Sequence, residues 1–594
     1  MKIYNFKTIA CAALMGLSLS SCSDYLDCPT EDQYDTSSYY KDDNQCRAGV
    51  NYLYNSPWYD FQRGFFKVGE VLSGNFYWGS SPYLTFTLDG SNEDLANMSA
   101  SLWAVNTHSI TVYNNLKNAT ASEDVKNACM GECLTWKAFA YFYLVRSFGA
   151  VPIIHDPIDL INGQQATNVH KAKISTVYDY IIMTLEKAIS LLPERDATGK
   201  GRIDKYCAEA LLAKVYLTKA GFDEASTTYN SGSYSYIVCK PHERNAADLE
   251  KAASLALDVI ENSGRSLEGN YADLFRGDHN NSPENMINWT WIVGSPWTTQ
   301  NSLQSDLGMT GFDEYGDNWS DWNGPSVDLQ DAFGENALSK DRVNTDARRK
   351  ATMMMAGDKY DYFYTDEGGF DYLKFIYNGY ANHVSNGELG SPTGANAVKH
   401  LYGDDADHVK YLGASAARMS SSLWTHILRL ADVYLIYCEA KMGNATSTSD
   451  PKACQFFYDV RHRSVRSYDK VPTSITWEQV WKERRLELAC EGDRWYDFVR
   501  RYYYDPQGAI NEIKSQRRNG YSASALNTIY KTYYNNGKYD GSWTVPADCK
   551  YDDKTAAPNV TDRSFTLPLP SSDVIYNPLL MEAPEDFDLS TIKF

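Results

Sequence analysis

The stretch from Trp477 to Arg501, WEQVWKERRLELACEGDRWYDFVRR, concentrates the charged side chains whose spacing suits acid/base chemistry. Glu487 and Glu491 stand four apart, as a proton donor and acceptor for hydrolysis would need to. Arg484 and Arg494 recur at three on either side, and arginine neighbours keep a carboxylate ionised, which disarms the donor. Read as one helix, opposite charges at this spacing pair with each other. Trp477, Trp481, Leu488 and Trp495 form a separate apolar stripe. Gly492 is the natural break and lets a neighbouring backbone come close. The segment therefore reads as an ion-paired scaffold rather than a catalytic pair.

A second chemistry lies in aromatics set in turn-forming sequence. Aromatic residues make up 14% of the chain, with 45 Tyr and 14 Trp, more than a core requires. A sugar ring offers a face of C–H bonds, which an aromatic plane covers, and a rim of hydroxyls, which Asn, Asp and Arg serve. NWSDWNGP, Asn318 to Pro325, has that character: Asn318, Asp321 and Asn323 flank Trp319 and Trp322, with Tyr315 just before. Trp78 with Asn75 and Tyr83, and Trp291 with Trp297 in WTWIVGSPW, complete the candidate platform. The competing expectation is structural: Trp319 and Trp322 wedge an inserted lobe against the body, and Trp291 and Trp297, alternating in a strand, face the core.

Other chemistries find little support. A net charge of −20 repels phosphate backbones and anionic headgroups, so nucleic acid is not an expected partner. There is no HExxH and no paired CxxC, and the acidic loop with Asp404, Asp405 and Asp407 fits no calcium-loop spacing, so no metal or cofactor is expected. Most cysteines sit in helical patterns and read as small buried residues; a Cys28–Cys46 bridge is left open, since spacing alone cannot show it.

At the N-terminus, Lys2 and Lys7 precede an apolar run, Ile9 to Leu19, too short to span a bilayer. Leu19-Ser20-Ser21-Cys22 has the form of a lipobox, which gives a signal peptide over 1–21 and a lipidated Cys22. Multiple acyl chains on that cysteine suffice for stable anchoring. Lipid is the expected membrane attachment.

Amphipathic periodicity predicts helices over Val125 to Phe148, Ser175 to Leu192, Arg202 to Ala220 and Asp248 to Asn262, with more helix from Thr425 through Arg501. Pro57 to Tyr83, Tyr229 to Tyr236 and Arg517 to Thr561 read as loops. The region 283–416 breaks the pattern and reads as an inserted, loop-rich second lobe with short strands. The prolines of 565–580 predict an extended tail. Paired helices in series resemble tetratricopeptide repeats, whose units must stack to bury their apolar faces.

Several segments together resemble the SusD/RagB lipoproteins. ERRLELACEGDRWYDFVRR is similar to that family's ER-x-x-E-x-x-x-EG-x-RW-x-D-x-x-R block. GECLTWKAFAYFYLVRSFGAVPII (Gly131 to Ile154), GRIDKYCAEALLAKVYL, LRLADVYLIYCEA (Leu428 to Ala440) and FTLPLPSSDVIYNPLL (Phe565 to Leu580) match further blocks in order. FFYDVRHR (Phe456 to Arg463) departs by carrying Tyr458 or Asp459 where the family has Asn. The resemblance implies a mainly α fold, a right-handed superhelix of four stacked helix pairs, with an N-terminal region over 22–265 and a C-terminal region over 266–594. It further implies a surface-exposed, non-catalytic outer-membrane lipoprotein that captures oligosaccharides for a SusC-like TonB-dependent transporter. The acidic residues after Cys22 (Asp24, Asp27) resemble a surface-export signal. A RagB-like peptide carrier is the alternative, and a surface glycoside hydrolase is the alternative from another class, needing two free carboxylates about 5–9 Å apart.

Overall fold

Long helices packed each against the next form the body of the molecule. The computed structural model describes residues 39–162, 168–232, 234–294, 296–552 and 559–594. The lipobox with Cys22, and Cys28, lie outside the described residues. Among the described residues no helix is long and apolar enough to cross a membrane.

After α1 (Asp43–Asn51) and α2 (Phe61–Phe66), the series runs α3 (Glu93–Lys117), α4 (Glu123–Phe148), α5 (Ile174–Ile189), α6 (Lys205–Lys219) and α7 (Ala246–Asn262). It resumes with α8 (Leu430–Met442), α9 (Pro451–Ser464), α10 (Trp477–Glu487) and α11 (Arg494–Tyr504). Neighbours pack in that order, with α7 against α8 across the intervening lobe. The mainly α, stacked-helix expectation therefore holds. Side-chain caps start many of these helices: Asn92, Asp204, Asn245 and Asp450 each accept a first-turn backbone N–H.

Between α7 and α8 lie short helices and two-stranded pairings rather than a continuous sheet. One pairing joins β1 (Phe76–Trp78) to β3 (Asn323–Pro325), antiparallel, with Trp78 opposite Asn323. Another joins β2 (Asn285–Trp289) to β4 (Thr425–Arg429).

Local expectations differ from the structure in six places, the last of them the 477–501 segment. Helix does not begin at Thr425, where a strand runs to Arg429. Tyr229 to Tyr236 closes a hairpin of Thr227–Asn230 with Tyr236–Cys239. The region 517–561 contains a helix, Ala523–Tyr533, whose apolar face is buried. In the tail, Ser571–Tyr576 turns helical because Pro570 sits at its N-cap, where a missing N–H costs nothing. Pro57 to Tyr83 is chiefly α2 continued by a π turn over Lys67–Leu72, and its Trp58, Phe65, Phe66 and Phe76 belong to the core.

The 477–501 segment is two helices, not one. Cys490 (φ 62°) and Gly492 (φ 81°) are left-handed and break it. A Cβ on Gly69 would lie 2.2 Å from the Gly492 carbonyl carbon, so the close backbone approach expected at Gly492 is made by the π turn. Arg494 pairs along its own helix with Asp497 (3.4 Å), but the glutamates pair across segments. Arg429 contacts Glu284 (2.7 Å), Glu487 (2.6 Å) and Glu491 (2.8 Å). Arg348 reaches Glu483 (2.6 Å) and Glu487 (2.9 Å), and Arg463 holds Glu284 and Glu487. Burial pushes the Glu487 carboxyl up, but Arg463, Arg429 and Arg348 outweigh it and hold it well below the usual range. This knot fastens the inserted lobe (Glu284, Arg348) to α9 and α10.

An aromatic shelf as the candidate functional site

The knot also places the site. Glu70, fully buried in the π turn, accepts hydrogen bonds from Cys490 N (2.9 Å) and Gly492 N (2.7 Å), which locks α2 to the break after α10. Phe61 and Phe65 of α2 face the core. Tyr59 and Arg63 face the inserted lobe instead, and Lys67, four further on, faces Trp78. Each engages a different tryptophan or its support. The Trp297 indole N–H donates to Tyr59 Oη at 2.6 Å. Arg63 pairs with Asp306 at 3.1 Å, and Asp306 Oδ1 accepts the Trp319 indole N–H at 3.3 Å. The Lys67 ammonium lies 5.1 Å from the Trp78 ring centre and pairs with Asp94 at 2.7 Å. Trp78 meets Trp322 edge to face, with ring centres 5.9 Å apart. The stripe spans about 12 Å at the helical rise, long enough for a short oligosaccharide.

Trp297, Trp319 and Trp322 are 43%, 41% and 46% exposed, and Trp78 is half-buried. Large aromatics with this much surface open to water, gathered in one row, are unusual on a surface that makes no contact. The strand pairing explains how residues so distant in sequence meet: Trp78 stands opposite Asn323, so its ring falls beside Trp322. Gly79 (φ 45°) leaves room there, because a Cβ would lie 2.8 Å from the Trp322 ring.

Four of the ten platform residues expected from the sequence are inside the protein. Trp291 is fully buried, its indole N–H donating to Thr425 Oγ1 at 3.0 Å, as an alternating core residue would be. Tyr83 is buried with its hydroxyl on Asn92, the α3 cap, at 2.8 Å. Asn75 is buried between Glu70 (2.9 Å) and Arg485 (2.8 Å), orienting the carboxylate rather than a ligand. Asn323 is buried in β3, its amide donating to Ser320 at 2.9 Å. Asn318, read as a flank of the two tryptophans, is likewise buried against Asp313. Tyr315 is exposed, but its hydroxyl is 3.3 Å from Ser415 and its ring meets none of the four shelf tryptophans. Asp321 lies beside Trp322, half-exposed, accepting from Thr310 N (2.8 Å) and Asn386 (2.5 Å). Sequence reasoning missed Tyr59, Arg63, Lys67 and Asp306. For the first three the signal was present, a polar residue every fourth position opposite Phe61 and Phe65; Asp306 had none.

Elsewhere, Asp404 and Asp407 serve each other in a capping box at the helix Asp405–Leu412. Glu268, Asp273 and His279 approach within 4.8 Å of one another, but Arg276 already sits 3.2 Å from Asp273. All nine described cysteines, Cys46 included, are free and buried.

Comparison with known proteins gives a consistent picture. A family model described as the SusD family matches residues 205–585, and one described as "Starch-binding associating with outer membrane" matches residues 74–217. A SusD-like protein of Bacteroides ovatus is 32% identical over 98% of this chain and 99% of its own. A crystal structure obtained with a xylogluco-oligosaccharide superposes with a TM-score of 0.73 at 29% identity, covering 92% of this chain and 99% of that one. A laminarin-binding SusD-like protein shares the fold, with a TM-score of 0.59 at 19% identity over 91% and 98% of the two chains.

Proposed function

The chain belongs to the SusD family, and from that premise we propose that it captures oligosaccharides on the tryptophan shelf as a surface-exposed, lipid-anchored protein of the outer membrane. The observation that carries this is the row of Trp297, Trp319, Trp322 and Trp78, open to water and backed by Tyr59, Arg63, Asp306 and Asp321. Flat indole faces cover the C–H face of sugars by dispersion, and the polar side chains beside them take the hydroxyls. The neighbour seen with a xylogluco-oligosaccharide favours a neutral glucan as ligand over a peptide.

Capture involves no bond cleavage in this reading. A hydrolase needs one carboxyl that holds a proton near neutral pH. Glu487 and Glu491 are fixed to arginines in the interior instead. The captured chain then passes to a SusC-like TonB-dependent transporter, with Cys22 lipidation keeping the shelf at the surface.

The test is retardation of the purified protein in native gels containing xyloglucan, laminarin or starch. Retardation by at least one polymer, lost in Trp319→Ala/Trp322→Ala, is the expected result. Migration unchanged in all three, or peptide binding with no sugar binding, overturns it.

A further inference from the structure

Beyond Tyr59, Asn55 and Asn51 line a hollow of about 420 Å³ on the other side of the turn that carries Trp297. That turn is tied shut by Ile292 N to Thr299 O (2.9 Å) and Thr299 Oγ1 to Ile292 O (3.0 Å). Trp297 projects from it towards Tyr59, while Ile292, 56% exposed, lines the hollow.

The walls are built and held. Trp424, half-buried, contributes an indole whose benzo ring rests on Gly201. Gly201 has φ 70°, and a Cβ there would lie 2.7 Å from that ring, so only glycine permits the seat. The loop beneath is drawn round one carboxylate: Asp196 accepts from Thr198 N (2.8 Å), Lys200 N (3.1 Å) and Arg202 N (3.1 Å). The Arg202 guanidinium is pinned by Glu132 (2.7 Å) and Asn51 (2.9 Å). An adjoining hollow of about 290 Å³ shares Gly199, Arg202 and Asn281 with the first. It is lined by two buried amides, Asn285 and Asn288, whose Oδ1 and Nδ2 respectively find no partner among the described residues. A buried acceptor and a buried donor left unmatched in this way are costly unless a ligand or water meets them.

An aromatic face, an exposed aliphatic side chain and fixed amide and guanidinium groups around a cavity of small-molecule size suit a sugar ring better than a metal or a nucleotide. We propose that this hollow is an end subsite: a glycan lying along the tryptophan row passes from Trp297 to Ile292 and seats its terminal residue against Trp424. The inference rests on the glycan-binding reading of the shelf, and it makes affinity depend on chain length.

Calorimetric titration of the full chain with xylogluco- and laminari-oligosaccharides of increasing length tests it. Affinity of the unsubstituted protein is expected to rise beyond the length the shelf alone covers. Trp424→Ala should remove that rise, about five- to tenfold, while leaving short oligosaccharides unaffected. Ile292→Asp, at an exposed side chain that folding does not depend on, should do the same. Trp319→Ala should weaken every length. If both hollow variants bind long and short chains as the unsubstituted protein does, while Trp319→Ala fails, the end subsite is wrong and the shelf stands. If the unsubstituted protein binds no oligosaccharide of either series, shelf and subsite fall together.

Discussion

The Trp78 ring stands at 89° to that of Trp322, edge to face, although 244 positions of sequence separate the two residues. Perpendicular planes give a bound glycan a corner rather than a flat bench. Because each indole sets the other's orientation, neither works alone. Trp78→Ala is expected to lower oligosaccharide affinity about tenfold and Trp78→Phe by less, measured by calorimetry. Equal affinity of Trp78→Ala and the unsubstituted protein would remove Trp78 from the shelf.

Asp306 holds Arg63 and the Trp319 indole together from an almost buried position. Asp306→Ala frees two donors that water already reaches, so a stability loss below about 1 kcal/mol is expected, with weaker glycan binding. Arg63→Ala takes the cation from an almost buried carboxylate and should cost more, about 1–3 kcal/mol. Urea unfolding of the two variants checks the order; a larger loss for Asp306→Ala would contradict it.

Glu487→Gln removes the shared charge beneath Arg348, Arg429 and Arg463 and leaves three buried cations short of an anion. A loss of about 3–5 kcal/mol follows from breaking a buried network on one side. Since the knot joins the inserted lobe to the helical body, unfolding should also become less cooperative. Scanning calorimetry showing a single unshifted transition would speak against that role.

Acid should find the same knot. Burial raises the Glu491 carboxyl, but Arg429 and Lys399 prevail and pull it down to about 2 from an ordinary 4.5. The folded chain thus keeps this charge more readily than the unfolded one. Its contribution, on the order of 3 kcal/mol, is complete above about pH 4.5 and is lost as pH falls towards about 2. Urea midpoints measured from pH 6 to pH 2 should drop through that window, and the drop should be smaller in Glu491→Gln, which is already less stable at pH 6.

How much of this was legible depends on the period of the pattern. Long amphipathic runs such as α5 and α7 declare themselves, because apolar residues at three and four leave one solution. The 25-residue α3 went unmarked, since Ser99, Ser101, Asn106 and Ser109 interrupt its buried face. Trp319 and Trp322 stood out as tryptophans among turn formers, and both are exposed. Trp291, Tyr83, Asn75 and Asn323 carry the same residue types in similar surroundings, yet all four are inside: Trp291 donates to distant Thr425, Asn75 accepts from distant Arg485, Asn323 sits in the pairing with Trp78, and Tyr83 is held on Asn92. Residue type names what can stack; only long-range pairing decides which ring stays wet.

The short antiparallel match of β1 with β3 has one more implication. Of the four shelf tryptophans, Trp78 comes from the amino-terminal part of the chain and Trp297, Trp319 and Trp322 from the insertion, and three residues on each side align the two parts. Were the polypeptide nicked between the two, neither fragment would own the corner that Trp78 and Trp322 form. Under the proposed function, altered side chains on the insertion would retune what is gripped while Trp78 and its supports stay as they are.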